Sequence, residues 1–415
     1  MKDEILKNLE DLKNLESLYR QNKNSFKKDF LSLYPEIRNN TIAAVWYERL
    51  NYSDPAFSWG KKRDLIFIII SCLLAFVIAK IPEFTNIPKV FFYTRNIAFI
   101  FVPFLILNFI LKEKSNGRNV LIISGALLIS CLYINILPDK KSDSITLACI
   151  FMPFLIWSLL GFSFLGNDYK DNRKHLAYLN YNGNLTVMTS LLLIAGVVLT
   201  GITVALFESI DLHIESFYMQ YIVIAGLVSA PLIGTYLIEQ NPWLINRVSP
   251  VIAKVFTPLL LITLIIYFIS TLLWGESPSI DRRTLGVFNL LLIGVMALLL
   301  YSIVGTKESK KNKLELIMLF SLAAVTFIIN VVVISSITYR IISWGWDFTP
   351  NRLALLGTNI IILTHLSIVS YHLFGVLISK SDISSTRNSI VTFLPVYIIW
   401  SVIIIFGFPI AYQMI

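Results

Sequence analysis

Three groups of residues combine types and spacings that could do chemistry. Thr358, His365 and His372 recur every seven residues, which stacks them on one helix face with about 20° of drift per step. The two imidazoles then stand roughly 10 Å apart along the axis, too far to share one metal ion. Such a line is either a protonatable wall of a cavity or a set of interhelical hydrogen bonds that holds packing. Arg340, Asn351 and Arg352 form the second group: two cations and an amide around a short turn, suited to a lipid phosphate or another anion, or to pairing with Asp347. The third group is Asp211, His213 and Glu215. In an extended stretch their alternate spacing puts three metal-ligand types on one side. A solvated acidic loop is the plainer reading of the same residues. There is no P-loop, GxSxG, HExxH, Rossmann fingerprint or CxxC spacing, so no catalytic residue and no cofactor is expected.

The elements that must position these residues follow from composition. The chain has 415 residues, 56% of them hydrophobic and 15% charged, with a mean hydropathy of +0.70. Soluble domains carry about a quarter charged residues. This balance excludes a nucleic-acid-binding module, a disulfide scaffold and a disordered tail, and implies an all-α polytopic membrane protein. Cys72, Cys131 and Cys149 all sit in apolar runs, as small buried hydrophobes do.

A bilayer core of about 30 Å needs about 20 apolar residues per helix. Eleven runs qualify: 65–81, 91–111, 119–137, 145–165, 187–207, 217–238, 251–273, 284–305, 314–338, 353–378 and 390–412. The first two are the weakest, one short and the other carrying Arg95, which would have to snorkel from an end. With the amino terminus inside, inner segments hold 26 Lys and Arg and outer ones 9. The positive-inside rule then predicts a multi-pass protein of the cytoplasmic membrane, its amino terminus cytoplasmic and its carboxyl terminus outside. No cleavable signal peptide is expected, because about sixty polar residues come first; Leu65–Ile81 is the expected insertion signal.

Residues 1–64 read as a cytoplasmic amphipathic helical segment, distinct from a transmembrane domain at 65–415. Ile5, Leu9, Leu12 and Tyr19 share one helix face, Phe26 and Phe30 begin a helix stopped by Pro35, and Asn40 caps another bearing Ile42, Val45, Trp46 and Leu50. The apolar stripe packs on its neighbours, on the membrane underside or on a partner protein. Within 65–165 a two-hairpin repeat is suggested. Residues 98–106 and 148–156 agree at seven of nine positions, and Ile70-Ser71-Cys72-Leu73 matches Ile129-Ser130-Cys131-Leu132. Parallel repeats occur in transporter folds. Pro103, Pro153, Pro231 and Pro258 lie inside spans, where a freed carbonyl needs a neighbour or water. No span interior holds Asp or Glu, which argues against carboxylate-driven proton coupling.

The stretch Tyr339, Arg340, Ile341, Gly345, Thr349, Pro350, Asn351, Arg352 and Leu353, with Val255, Phe256, Thr257, Pro258 and Tyr267 earlier, resembles a family of polytopic bacterial membrane proteins catalogued as the domain of unknown function numbered 4153. The resemblance extends over residues 65–415. Here Trp346, Asp347 and Phe348 lengthen the turn after Gly345 relative to the family's commonest form. The resemblance implies a multi-spanning inner-membrane protein and no particular activity. The combined expectation is permease-like handling of an amphipathic small molecule or lipid, in a proline-kinked cavity near Arg340, Arg352 and His365. The alternatives are a scaffold or sensor acting through residues 1–64 and a membrane-embedded lipid-modifying enzyme. The expected partners are the lipid bilayer, such a solute or lipid, and a protein bound at residues 1–64; nucleic acid is not among them.

Overall fold

Short capped helices build the amino-terminal unit, Met1–Ser58. They are α1 (Lys2–Lys7), α2 (Leu12–Gln21), α3 (Lys23–Ile37) and α4 (Thr41–Asn51). The Asp11 carboxylate accepts from the Lys13 and Asn14 amides at 3.1 Å, and the Asn22 side chain from Ser25 at 3.1 Å. The Asn40 side chain accepts from Ile42 at 2.8 Å. Each cap satisfies donors that a helix start leaves open. Pro35 sits in the last turn of α3 and does not stop it, since the helix runs on to Ile37. Ile5, Leu15, Phe26 and Phe30 are fully buried, and Trp46 and Leu50 nearly so, around one core. Leu12 points out instead, 61% exposed.

Glu16 ties α2 to α4: its carboxylate meets Arg49 at 2.7 Å and Arg20 at 2.8 Å. Arg49, then Arg20, holds that carboxyl below the usual carboxylate range. A depressed folded value adds stability that is complete above the unfolded value, roughly 4.3, and disappears as pH falls through the folded one. Glu16→Gln should therefore flatten the acid limb of this unit's stability. Pepsin cleavage within α2 and α4, followed from about pH 5 to about pH 3, should rise less steeply in the variant than in the parent.

The structure, a computed structural model, describes residues 1–51, 58–208, 212–243, 256–266, 269, 282–305, 313–343, 346 and 348–412. Among the described residues there are helices and connections and no strand. The second unit, Trp59–Ile415, begins with α5 (Lys62–Ala79), the short α6 (Ile81–Phe84) and α7 (Lys89–Glu113). It continues through α8 (Gly117–Ile136), α9 (Asp143–Leu165), α10 (Asn172–Glu208) and α11 (Glu215–Gln240). Next come α12 (Phe256–Ile266), α13 (Arg282–Gly305), α14 (Lys313–Ser343), α15 (Pro350–Leu377) and α16 (Ile383–Ala411). Eight of these, α7 to α11 and α14 to α16, are long and apolar enough to cross a membrane. The protein is thus an α-helical membrane protein. Of the other expected runs, 65–81 falls on α5, whose first turn is charged, 251–273 overlaps α12, and 284–305 lies in α13.

Among the described residues two large apolar cores fill this unit, beside a small cluster of Leu147, Ala354, Ile404 and Phe408. One joins α5, α7 to α11 and Ile405; the other joins α12 to α16. The repeated segments are buried alike: Ser71 and Ser130 point inward, Cys72 and Cys131 are half-buried, and Ile70, Ile129, Leu73 and Leu132 are exposed. Pro103 in α7 and Pro153 in α9 are both half-buried inside continuous helices. Pro231, half-buried, and Pro395, exposed, also lie inside helices, α11 and α16.

Candidate functional site

Arg95 lies two turns into α7 and is only 5% exposed. Its Nη1 donates to the Ile134 carbonyl at 2.7 Å and to the Leu137 carbonyl at 2.6 Å, and Nη2 donates to Pro138 at 2.9 Å. The Ile134 and Leu137 carbonyls are ones that α8 leaves open where it stops before Pro138, and the Pro138 carbonyl is the next along the chain, so a neighbouring side chain closes the helix end. The guanidinium also lies over the Phe91 ring, 4.0 Å from its centre. Contrary to the expectation from its place in an apolar run, Arg95 does not snorkel from the end of that run; it is buried, because the carboxyl end of α8 supplies the acceptors locally.

Beside it, Asn96 and Asn135 exchange amide hydrogen bonds in both directions at 2.8 Å, clamping α7 to α8. Removing one partner strands a half-buried amide, whereas removing both does not. Asn135→Leu alone should cost about 1–3 kcal/mol, and Asn96→Leu with Asn135→Leu less than that single change. Thermal unfolding of the purified protein measures both.

Between the starts of α7 and α9 and the connection before α9 is a cavity of about 470 Å³. Arg95, Lys140, Thr94 and Thr146 supply its polar wall, and Phe91 and Cys149 part of its apolar one. Ser142 caps α9, its hydroxyl accepting from the Ile145 amide at 3.4 Å, and so holds the first turn of α9 against the cavity. The arrangement can bind an anion attached to an apolar body. It presents no nucleophile–base pair.

The residues singled out by spacing lie elsewhere. Thr358 accepts from Trp400 Nε1 at 2.9 Å. His365 is fully buried, shares a hydrogen bond of 2.9 Å with the Tyr397 hydroxyl, and stacks on Phe393 at 4.4 Å. His372 is half-buried, its ring edge-on to Tyr371. Thr358 and His365 thus meet α16 side chains. Arg340, Asn351 and Arg352 are half-buried near the ends of α14 and α15, and Thr349 caps α15 through the Arg352 amide at 3.4 Å. From Asn351 to His372 the helix rises roughly 31 Å, so these residues do not converge on one pocket. Of the deeper polar residues, Asn359 donates to Asn289 at 2.5 Å, whereas the fully buried Asn330 amide has no hydrogen-bond partner among the described residues.

Asp211 lies outside the described residues. His213 and Glu215 are exposed, and Ile214 between them is helical at φ −89° and ψ −4°, so the strand-like alternation is not adopted. Among the described residues no group of His, Cys, Asp or Glu is placed to hold a metal. What the sequence reading missed was the Arg95 cavity, and the available signal was an arginine inside a run expected to cross lipid. Compared with known proteins, the chain matches no family model, no curated protein and no solved structure.

Proposed function

We propose that this protein is a permease-like carrier that handles an amphipathic solute or lipid bearing an anionic group, with the Arg95 cavity as its binding site. The observation that carries the reading is a buried arginine lining a cavity of about 470 Å³ between two proline-containing helices, α7 and α9. A membrane-buried cation is costly, and such residues mark solute paths more often than they stabilise a bundle. A proline inside each helix removes one backbone hydrogen bond and supplies local give of the kind that alternating access requires.

In this reading the chain makes eleven spans, α5 and the segments around α12 and α13 being the three beyond the eight long apolar helices. The excess of basic residues in alternate connections supports a cytoplasmic amino terminus, an outer carboxyl terminus and insertion in the cytoplasmic membrane. The cavity then opens at the outer face. The motif from Tyr339 to Leu353 supports placement in the domain family numbered 4153.

The test is flux. Purified protein in vesicles should speed transbilayer movement of a fluorescent phospholipid over protein-free vesicles, measured by dithionite quenching. Equal rates with and without protein would overturn the reading. A scaffold role draws support from a different observation, the separate core of residues 1–58. Flux that survives deletion of that unit would assign the two roles to separate parts.

A further inference from the structure

We propose that the Arg95 cavity binds the phosphodiester headgroup of an anionic phospholipid, whose acyl chain lies along the exposed rows of α7 and α9. The inference rests on the reading of the cavity as a site for an amphipathic molecule, and adds the chemical class of that molecule.

Donor geometry comes first. A guanidinium carries five N–H groups. Three of those on Arg95 serve the end of α8. Nε and Nη2 lie on one edge of the plane, and among the described residues each keeps an N–H without an acceptor, the pair that matches two oxygens of a phosphate. Charge is the second argument. Among the described residues no carboxylate comes within 4.0 Å of Arg95. The carboxyl end of α8 offsets only about half a unit of its charge. Lys140 brings a second cation to the same wall and Asp139 one opposing charge. The starts of α7 and α9 both face this space and add positive potential, part of which Asp143 in the first turn of α9, outside the cavity lining, offsets. The balance is positive and suits a single anionic group.

Shape decides between a lipid and a free anion. On α7, Val90 and Ile97 are 76% and 54% exposed; on the neighbouring α9, Ile150 and Phe154 are 54% and 48% exposed. Val90 and Ile150 line the cavity itself. Residues seven apart on α7 and four apart on α9 share a face. Two apolar rows therefore run from the cavity down the outside of the bundle, where acyl chains lie. A soluble phosphate has no use for them. In the second repeat unit Ile145 stands where Arg95 stands in the first, so the duplication supplies one such site and not two.

Cys149 lines the cavity and reports on its occupancy. The full-length protein carrying Cys72→Ser and Cys131→Ser, delipidated in a non-ionic detergent, is labelled with a water-soluble maleimide. Phosphatidylglycerol should slow labelling of Cys149 by about tenfold. Diacylglycerol, with the same chains and no phosphate, and glycerol 3-phosphate, with phosphate and no chains, should not. Lys140→Glu, on an exposed side chain that folding does not need, should remove most of the protection. Protection by diacylglycerol would overturn recognition of the phosphate, protection by glycerol 3-phosphate alone would make the ligand a soluble anion, and protection by none would overturn the proposal. Protection without flux in vesicles would leave this inference standing and end the permease reading. Flux without protection would do the reverse.

Discussion

Arg95→Met should lower the stability of the transmembrane unit by about 3 kcal/mol. Methionine keeps most of the side chain's length, so the change removes charge and donors without opening a large hole. The Ile134, Leu137 and Pro138 carbonyls lose their only side-chain donors from α7. A carbonyl stranded away from water costs about 1–3 kcal/mol. Those of Leu137 and Pro138 stand next to the exposed residues Asp139 and Lys140, where water can replace the arginine. Ile134 is fully buried, and its carbonyl has no such substitute. Most of the loss therefore falls on the Ile134 carbonyl and the rest on the freed end of α8. Arg95→Lys should recover only part of it, because a tetrahedral ammonium cannot meet three carbonyls arranged around a planar guanidinium. Thermal unfolding of the full-length protein in one detergent compares the three. A change under about 0.5 kcal/mol in Arg95→Met would mean that water caps α8 in place of the side chain.

Phe26→Ala should unfold the amino-terminal unit while leaving the membrane helices folded. The ring is fully buried, 5.2 Å from Trp46, 5.6 Å from Tyr19 and 5.7 Å from Phe30, centre to centre. Truncating such a ring costs about 3–5 kcal/mol. A unit of 58 residues has about 3–9 kcal/mol in total by the usual per-residue range. The loss therefore takes from about a third to all of its stability, enough to raise the unfolded population at least about a hundredfold. Trypsin at low concentration should cut the variant within residues 12–51 at least tenfold faster than the parent, with no new cuts in α7 to α9. Leu12→Ala is the control, since its side chain is mostly exposed and its loss removes little packing.

Much of this architecture was legible because it is local. Twenty consecutive apolar residues identify a spanning helix whatever surrounds them, and eight of the expected runs coincide with long apolar helices. Helix ends were less legible. The run at 187–207 is the most apolar part of a helix that starts at Asn172, and nothing in the fifteen residues of mixed polarity before the run halts the backbone. The seven-residue spacing of Thr358 and His365 correctly put them on one face. It carried no word of Trp400 and Tyr397, which come 42 and 32 residues later and occupy that face.

The charge-poor composition and the placement of its few charges are properties of the chain read in order. They determined the solvent and the helical class, because transfer of each segment into lipid depends on that segment alone. The tertiary structure decided what Arg95 does. A solitary arginine in an apolar run reads as a defect or an anchor until the orphaned carbonyls of α8, 39 to 43 residues away, come within reach. Which helix end meets which side chain depends on how α7 packs on α8 and α9. That packing made the cavity, and a pattern of residue types along one segment does not contain it.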